Sequence, residues 1–315
     1  MNNVNTLTLV VPCFNEQDSV KIFYDEIFRI KTKIPETEID ILFIDDGSLD
    51  NTLGVIKGIA EMDNTVHYIS FSRNFGKEAA IYAGIKNAKG DFVAVIDADL
   101  QDPPQLLPEM LQAVTEEGYD SVATRRVTRE GEPPIRSFFA RLFYRLMNKI
   151  SKTDIVDGAR DYRLMNRKFV NAVLKLGEYN RFSKGLFGWV GFKTKWIEFK
   201  NSQRYVGETK WSFWKLFKYS IEGIVAFSTA PLVVSSLAGI IACLVSLFST
   251  IFIIVRKLIF GDPVMGWAST ISVILFIGGI QLMCIGILGQ YLAKAYLETK
   301  KRPIYIIDQS DVESE

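Results

Sequence analysis

The sequence predicts an α/β protein built on a mostly parallel sheet, followed by juxtamembrane amphipathic helices and a two-span helical hairpin. Three observations predict it. Over the first 125 residues short apolar runs alternate with stretches of helical periodicity, several of those runs end in acidic or polar turns, and two uncharged apolar stretches stand near the C-terminus. Such alternation argues for parallel strands covered by helices on both faces, where buried strands read as continuous apolar runs.

The elements follow in order. Thr6–Val11 is the first strand, with Pro12-Cys13-Phe14-Asn15-Glu16 as its polar exit before a helix near Gln17–Lys33. Ile39–Ile44 is the second, closing on Asp45-Asp46-Gly47-Ser48, and a helix starts at Thr52. Val66–Phe71 is the third, and a helix begins at Lys77, behind the turn Asn74-Phe75-Gly76. Asp91–Ile96 is the fourth, followed by a helix near Leu106–Glu117 and a strand at Asp120–Ala123. No Gly-x-Gly-x-x-Gly and no Gly-x-x-x-x-Gly-Lys-Ser/Thr loop follows the first strand, which excludes a dinucleotide fingerprint and a P-loop.

The fourth strand ends in Asp97-Ala98-Asp99, two carboxylates separated by one residue. Open α/β sheets bind ligands beyond the carboxyl ends of their strands, and Mg2+ or Mn2+ prefers hard oxygens and completes its shell with substrate phosphates. Asp97 and Asp99 are therefore candidate metal ligands for a phosphorylated donor, with Asp97 also a candidate contact to the nucleotide and Asp99 also a candidate catalytic residue. Asp in an ordinary turn is the plainer alternative.

Pro12, Asn15 and Glu16, then Asp45-Asp46-Gly47-Ser48, then Asp97-Ala98-Asp99 stand in an order and spacing that resembles the family 2 nucleotide-sugar glycosyltransferases. Three further runs narrow the resemblance: Ser72-Arg73-Asn74-Phe75-Gly76-Lys77, Asp99-Leu100-Gln101-Asp102-Pro103-Pro104 and Asp161-Tyr162-Arg163-Leu164-Met165. These look like the polyisoprenyl-phosphate branch, the bactoprenol glucosyltransferases and dolichyl-phosphate mannose synthases, and the likeness covers almost the whole chain. It implies a nucleotide-sugar donor bordered by the Pro12–Glu16 loop, Asp46 and Ser48, with Asp45 or Asp46 reaching the base. A carboxylate accepts equally from uracil and from guanine, so UDP and GDP both stay open.

Arg73 and Lys77 offer cations where a helix start presents backbone donors to an anion, or else they are solvated surface charges. Asp161 stands where the family pattern suggests a catalytic aspartate. It acts as a base, or it orients the donor sugar or an arginine, and pairing of Arg160 and Arg163 with Asp157 and Asp161 is the structural alternative. Arg204 and Lys210, in Arg204-Tyr205-Val206-Gly207-Glu208-Thr209-Lys210-Trp211, are candidates to grip lipid phosphate or donor diphosphate, against a generic attraction to anionic headgroups. Gln-x-x-Arg-Trp is absent, which speaks against a processive polysaccharide synthase.

A net charge of +1 supplies no global reason to expect nucleic acid, and a homo-oligomer stays open. The stretches Pro231–Val255 and Trp267–Tyr291 are each about 25 residues, long enough to span a bilayer. Gly261-Asp262-Pro263 turns between them. Lys215 and Lys218 before the pair and Lys294, Lys300, Lys301 and Arg302 after it put both ends inside, although Arg256 and Lys257 fall outside. A strand begins almost at once at the N-terminus, with no cleavable signal peptide expected.

Ile135–Met147 mixes aromatic bulk with arginine at helical spacing and suits either a membrane surface or the sheet. Trp211–Tyr219 reads as an interfacial anchor. The three cysteines imply no disulfide or thiolate-metal framework, and the single histidine, His67, is structural. The acidic end of the tail is expected to be disordered.

The expected organisation is a cytoplasmic glycosyltransferase domain over 1–210, an interfacial helix over 211–228, two transmembrane helices over 229–293 and a cytoplasmic tail over 294–315, in the inner (plasma) membrane. The expected reaction, implied by the resemblance, is metal-dependent, inverting transfer of one sugar to a polyisoprenyl phosphate. UDP-glucose or UDP-N-acetylglucosamine with undecaprenyl phosphate is preferred. The alternatives are a GDP-mannose-using dolichyl-phosphate mannose synthase and a non-catalytic sensor or scaffold.

Overall fold

Strand β1 (Asn5–Cys13) shows why the sheet is covered on both sides. Its Leu7, Leu9, Val11 and Cys13 pack into one apolar cluster while Val10 packs into the other, so successive side chains are buried on opposite faces. The computed structural model of the chain describes residues 5–127, 156, 158–199, 225, 228–260 and 266–312. The segments 135–147 and 204–219, and Asp157, lie outside the described residues.

The chain forms two compact units, residues 1–218 with 302–315, and residues 219–301. The first carries an eight-stranded sheet in the order β7-β5-β6-β4-β1-β2-β3-β8. Its strands are β1, β2 (Thr37–Asp45), β3 (Val66–Phe71), β4 (Phe92–Val95), β5 (Ser121–Arg126), β6 (Ala159–Asn166), β7 (Thr194–Phe199) and β8 (Ile307–Ser310). Pairs β1–β2, β1–β4, β2–β3 and β5–β7 are parallel, whereas β4–β6, β5–β6 and β3–β8 are antiparallel.

Helices α1 (Gln17–Lys31), α2 (Thr52–Ala60) and α4 (Leu107–Thr115) supply Phe23, Ile27, Ile56 and Met110 to the first cluster. Helices α3 (Lys77–Asn87), α5 (Arg167–Leu174) and α6 (Ser183–Trp189) supply Ala80, Phe169 and Phe187 to the second. Gly84 lets α3 lie directly on the sheet, because a Cβ there would run into the side chain of Val10.

The strands and helices expected before residue 125 all form, with ends shifted by a few residues. The tail differs from expectation. Ile307–Ser310 becomes the eighth strand instead of disordered chain, because β3 would otherwise expose an unpaired edge.

The second unit contains α7 (Ala230–Phe260) and α8 (Trp267–Thr299), and each predicted apolar span lies within one of them. Ala230–Ser249 has a mean hydropathy of 2.3 and Phe276–Thr299 one of 1.6, and neither is buried within the protein. A buried core helix is thereby excluded for both. Helices this long and apolar suit a hydrocarbon core of about 30 Å. Tyr291 Oη of α8 donates to Ser228 O, just before α7, at 2.6 Å, and Cys284 Sγ of α8 donates weakly to Ser235 O of α7 at 3.6 Å.

Candidate active site

Register brings the strand ends to one edge. Cys13 pairs with Asp45, and Asp45 with Ser70. Ile96 N donates to Val10 O at 3.0 Å, so Asp97 leaves the sheet beside them. Pro12 belongs to β1 rather than to the loop beyond it, paired with Ile44 and past the last β4 pairing at Val10. There its missing N–H removes no β4 ladder bond.

The first group of carboxylates is held by backbone N–H groups and hydroxyls. Asp45 accepts from Ser70 Oγ at 2.8 Å and from Ser48 N at 3.2 Å. Asn15, at φ +55°, donates its N–H to Ser48 Oγ at 3.0 Å and accepts from Leu49 N at 2.8 Å. Glu16 N donates to Thr52 Oγ1 at 2.8 Å, and its Oε2 accepts from Ser19 Oγ at 2.7 Å.

Asp46 accepts from Phe75 N at 2.6 Å and from Gly76 N at 2.9 Å. Burial pushes its carboxyl up to about 6, against the pull of those two N–H groups. Gly47 completes the join: at φ +64° its Cα rests on the Arg73–Asn74 backbone, where any Cβ would collide. Arg73 donates to Asn74 O at 3.0 Å, and its guanidinium lies 4.0 Å from the Phe75 ring centroid.

The second group is held by cations. Strand β6 runs antiparallel to β4 with Arg163 opposite Val95, a register that carried two residues further sets Asp161 opposite Asp97. Lys77 Nζ bridges the two, 2.7 Å from each carboxylate. Lys184 Nζ stands 3.8 Å from the other oxygen of Asp161. Burial works to raise the Asp161 pKa, yet the ammonium groups of Lys184 and Lys77 outweigh it and hold the carboxyl well below the usual range.

Asp99 accepts from Gln101 N at 3.1 Å across a turn in which Leu100 adopts φ +54°. Asp102, fully buried, receives Arg160 Nε at 2.7 Å, and burial pushes it up to about 6 despite that partner. This ion pair ties the loop after β4 to the strand that bears Asp161. Of the pairs in the structural alternative, those with Asp157 lie outside the described residues. Arg160 takes Asp102, while Arg163 donates to Ser121 Oγ at 3.0 Å and stacks among Phe169, Phe187 and Trp196.

Asn15, Glu16, Asp45, Asp46, Ser48 and Arg73 thus meet in one cluster, and Lys77, Asp97 and Asp161 in the next, with Asp99 two residues beyond Asp97. Arg204 and Lys210 lie outside the described residues. Sequence reasoning missed Lys184, the Arg160–Asp102 pair and Glu78, whose carboxylate accepts from Ser183 N at 2.8 Å. Asp102 sat inside the Asp99–Pro104 run and was open to notice, whereas Lys184 belongs to no motif.

Among the described residues no three His, Cys, Asp or Glu side chains converge as a metal cage. Asp97 and Asp99 offer hard carboxylate oxygens, the donor type that suits a hard divalent cation such as Mg2+ or Mn2+.

The sequence profile of glycosyl transferase family 2 matches residues 8–174. The chain is 44% identical over 306 residues to the putative glycosyltransferase CsbB of Bacillus subtilis, covering 97% of this chain and 92% of that protein. It is 40% identical over 301 residues to the prophage bactoprenol glucosyl transferase homolog of Escherichia coli, covering 96% and 98%. Mannosyl-3-phosphoglycerate synthase from Rubrobacter xylanophilus is a more distant likeness, with a TM-score of 0.48 and 21% identity over 70% of this chain and 72% of that one. The profile match and the two near-full-length relatives establish that this chain belongs to glycosyl transferase family 2, as a member of its polyisoprenyl-phosphate branch.

Proposed function

We propose that the enzyme transfers a single sugar, glucose or N-acetylglucosamine, from UDP to undecaprenyl phosphate at the cytoplasmic face of the membrane in which α7 and α8 lie. The observation that carries this reading is the meeting of Lys77, Asp97 and Asp161 beside the Asp45–Ser48 loop, at the edge where three parallel strands end. Relatives named as bactoprenol glucosyl transferases support the choice of acceptor and sugar.

In this reading Asp45, Asp46 and Ser48, with Pro12, Asn15 and Glu16, border the nucleotide. Arg73 adds positive charge, and Lys77 stands at the junction of nucleotide and sugar. Asp97 and Asp99 would hold Mg2+ or Mn2+, which when bound offsets the charge that develops on the departing diphosphate. A phosphate oxygen of the lipid attacks the anomeric carbon, the bond from that carbon to the UDP oxygen breaks, and the electron pair leaves with UDP. Attack from the face opposite the nucleotide inverts the centre, so an α-linked donor yields a β-linked lipid phosphosugar.

No strong base is required, because a phosphate monoester with a second pKa near 6 is already largely dianionic at pH 7. Asp161 suits that chemistry: two ammonium groups keep it ionised, which makes it a weak base and a firm anchor for the sugar or for Lys77. Arg204 and Lys210 are assigned to the lipid phosphate or the diphosphate. The test is a panel of radiolabelled UDP-glucose, UDP-N-acetylglucosamine and GDP-mannose with undecaprenyl phosphate and either metal. Lipid-extractable label from one of the UDP-sugars is the expected result, and label from GDP-mannose alone would overturn the choice of donor.

A further inference from the structure

The chain that leaves α8 returns to the α/β unit and ends against its donor side. Arg302 onward belongs to that unit, and β8 pairs antiparallel with β3, setting Ser70 opposite Gln309 and Phe71 opposite Ile307. Asp311 closes the far end, accepting from Tyr68 N at 2.7 Å through its carboxylate and donating its own N–H to Tyr68 O at 3.3 Å. At the near end Ser72 N donates to Ile306 O at 3.0 Å. The ladder therefore continues past β3 into the turn that carries Arg73, Asn74, Phe75 and Gly76.

An aromatic series runs beside that ladder. Tyr305 stacks on Phe71, ring centroids 4.9 Å apart at 17°, and Phe71 meets Phe75 edge-on at 5.8 Å and 89°. Tyr82 of α3 touches the other side of Tyr305 at 6.3 Å. Phe75 is the residue whose N–H holds Asp46 at 2.6 Å, and Gly76 N–H holds the same carboxylate immediately before Lys77. From the tail to the Asp46 carboxylate there are thus three ring contacts or hydrogen bonds, each in direct succession.

We propose that Tyr305 is a positioning residue for the nucleotide-sugar donor: its stack on Phe71 sets the Ser72–Gly76 turn, and the turn sets Asp46. The proposal rests on the placement of the nucleotide at Asp46. It makes the tail, which shares no residue with the Asp97–Asp161 cluster, a determinant of donor affinity rather than of the chemical step.

The experiment compares full-length wild type with Tyr305→Ala, Tyr305→Phe and Asp46→Asn in phospholipid vesicles, measuring KM for UDP-glucose, KM for undecaprenyl phosphate, kcat and Tm. Tyr305→Ala should raise the donor KM by about fivefold, the order expected for one aromatic stack, with kcat and the acceptor KM within twofold. Tyr305→Phe keeps the ring and should restore the wild-type donor KM. An unchanged donor KM in Tyr305→Ala alongside a raised one in Asp46→Asn would overturn the role of Tyr305 while leaving the donor site in place. A fall in kcat with both KM values unchanged, matching a lowered Tm, would also overturn it, as the mark of lost folded protein. An unchanged donor KM in Asp46→Asn would remove the donor site as assigned here, and the tail's part with it.

Discussion

The two carboxylate clusters at this sheet edge are held by different means. Asp45 and Asp46 are fastened by backbone N–H groups of the neighbouring turns, Ser48, Phe75 and Gly76, and by the hydroxyl of Ser70 in β3. Asp97, Asp161 and Asp102 are fastened by ammonium and guanidinium groups of Lys77, Lys184 and Arg160. Backbone donors cannot leave without unfolding the turn, so they fix shape. Long cationic side chains reach their partners through several rotatable bonds, so they fix the shape of the second cluster less firmly.

The largest expected effect lies at Asp99, which stands two residues beyond the cation-held Asp97 and accepts from Gln101 N. Asp99→Asn keeps the side-chain volume and should lower turnover by about a thousandfold, with folding unchanged by circular dichroism. Near-normal turnover at saturating Mg2+ or Mn2+ would take Asp99 out of the site. Asp97→Asn should do less, since Lys77 still bridges to Asp161, and a defect larger than that of Asp99→Asn would reverse the two roles.

Lys77→Gln comes next. It leaves Asp97 and Asp161 facing one another without their shared cation, so turnover should fall by about a hundredfold, and less in Lys77→Arg. Equal losses in Gln and Arg variants would show that the length of Lys77, not its charge, is what matters, and the contrast between the clusters would narrow.

A smaller effect separates the clusters by pH. With its carboxyl raised to about 6, Asp46 gains a proton as pH falls through that value, and one acceptor oxygen for Phe75 and Gly76 is weakened. Donor affinity should therefore fall several-fold between pH 7 and 5, and Asp46→Asn should flatten the profile. Linkage runs the opposite way for stability. A raised folded pKa means the native state binds the proton more tightly, so this group's contribution is fully present below about 4 and is lost as pH rises through about 6. Asp161, kept ionised by its two lysines, should add no break of its own across that range. A calorimetric titration of UDP at several pH values measures the first trend and melting curves the second.

The smallest effect concerns the assigned lipid-phosphate clamp. Arg204→Lys keeps the charge and loses the bidentate fork, so transfer should fall several-fold with liposome binding unchanged, whereas neutralising Lys210 should cost less and depend more on salt. Unchanged kinetics against lipid-phosphate concentration in Arg204→Lys would leave simple attraction to the bilayer as the better account.

Much of the backbone-held cluster was legible in the chain, because its parts are local. Asp45-Asp46-Gly47-Ser48 follows an apolar run, and the requirement for positive φ at Gly47 comes from a tight turn any reader can suspect. The cation-held cluster was half legible. Asp97 and Asp161 carry motif signals, but β6 mixes Arg160, Asp161 and Arg163 with apolar residues, and its place beside β4 depends on a partner far away in sequence. The eighth strand was not legible at all: Ile-Asp-Gln-Ser has neither the length nor the alternation of a strand and becomes one only because β3 offers an edge.

By itself, then, the sequence determined the alternating α/β half, the acidic exits of its parallel strands and the two apolar helices, since each follows from periodicity, turn chemistry or length within a few tens of residues. Only the tertiary structure decided which cation meets which carboxylate: Lys77 between Asp97 and Asp161, Lys184 behind it, and Arg160 on Asp102. It alone also decided that the tail pairs with β3 beside the Ser72–Gly76 turn. Charge pairing and edge-strand pairing act between segments whose separation along the chain carries no signal, so they are settled by where the folded backbone puts them.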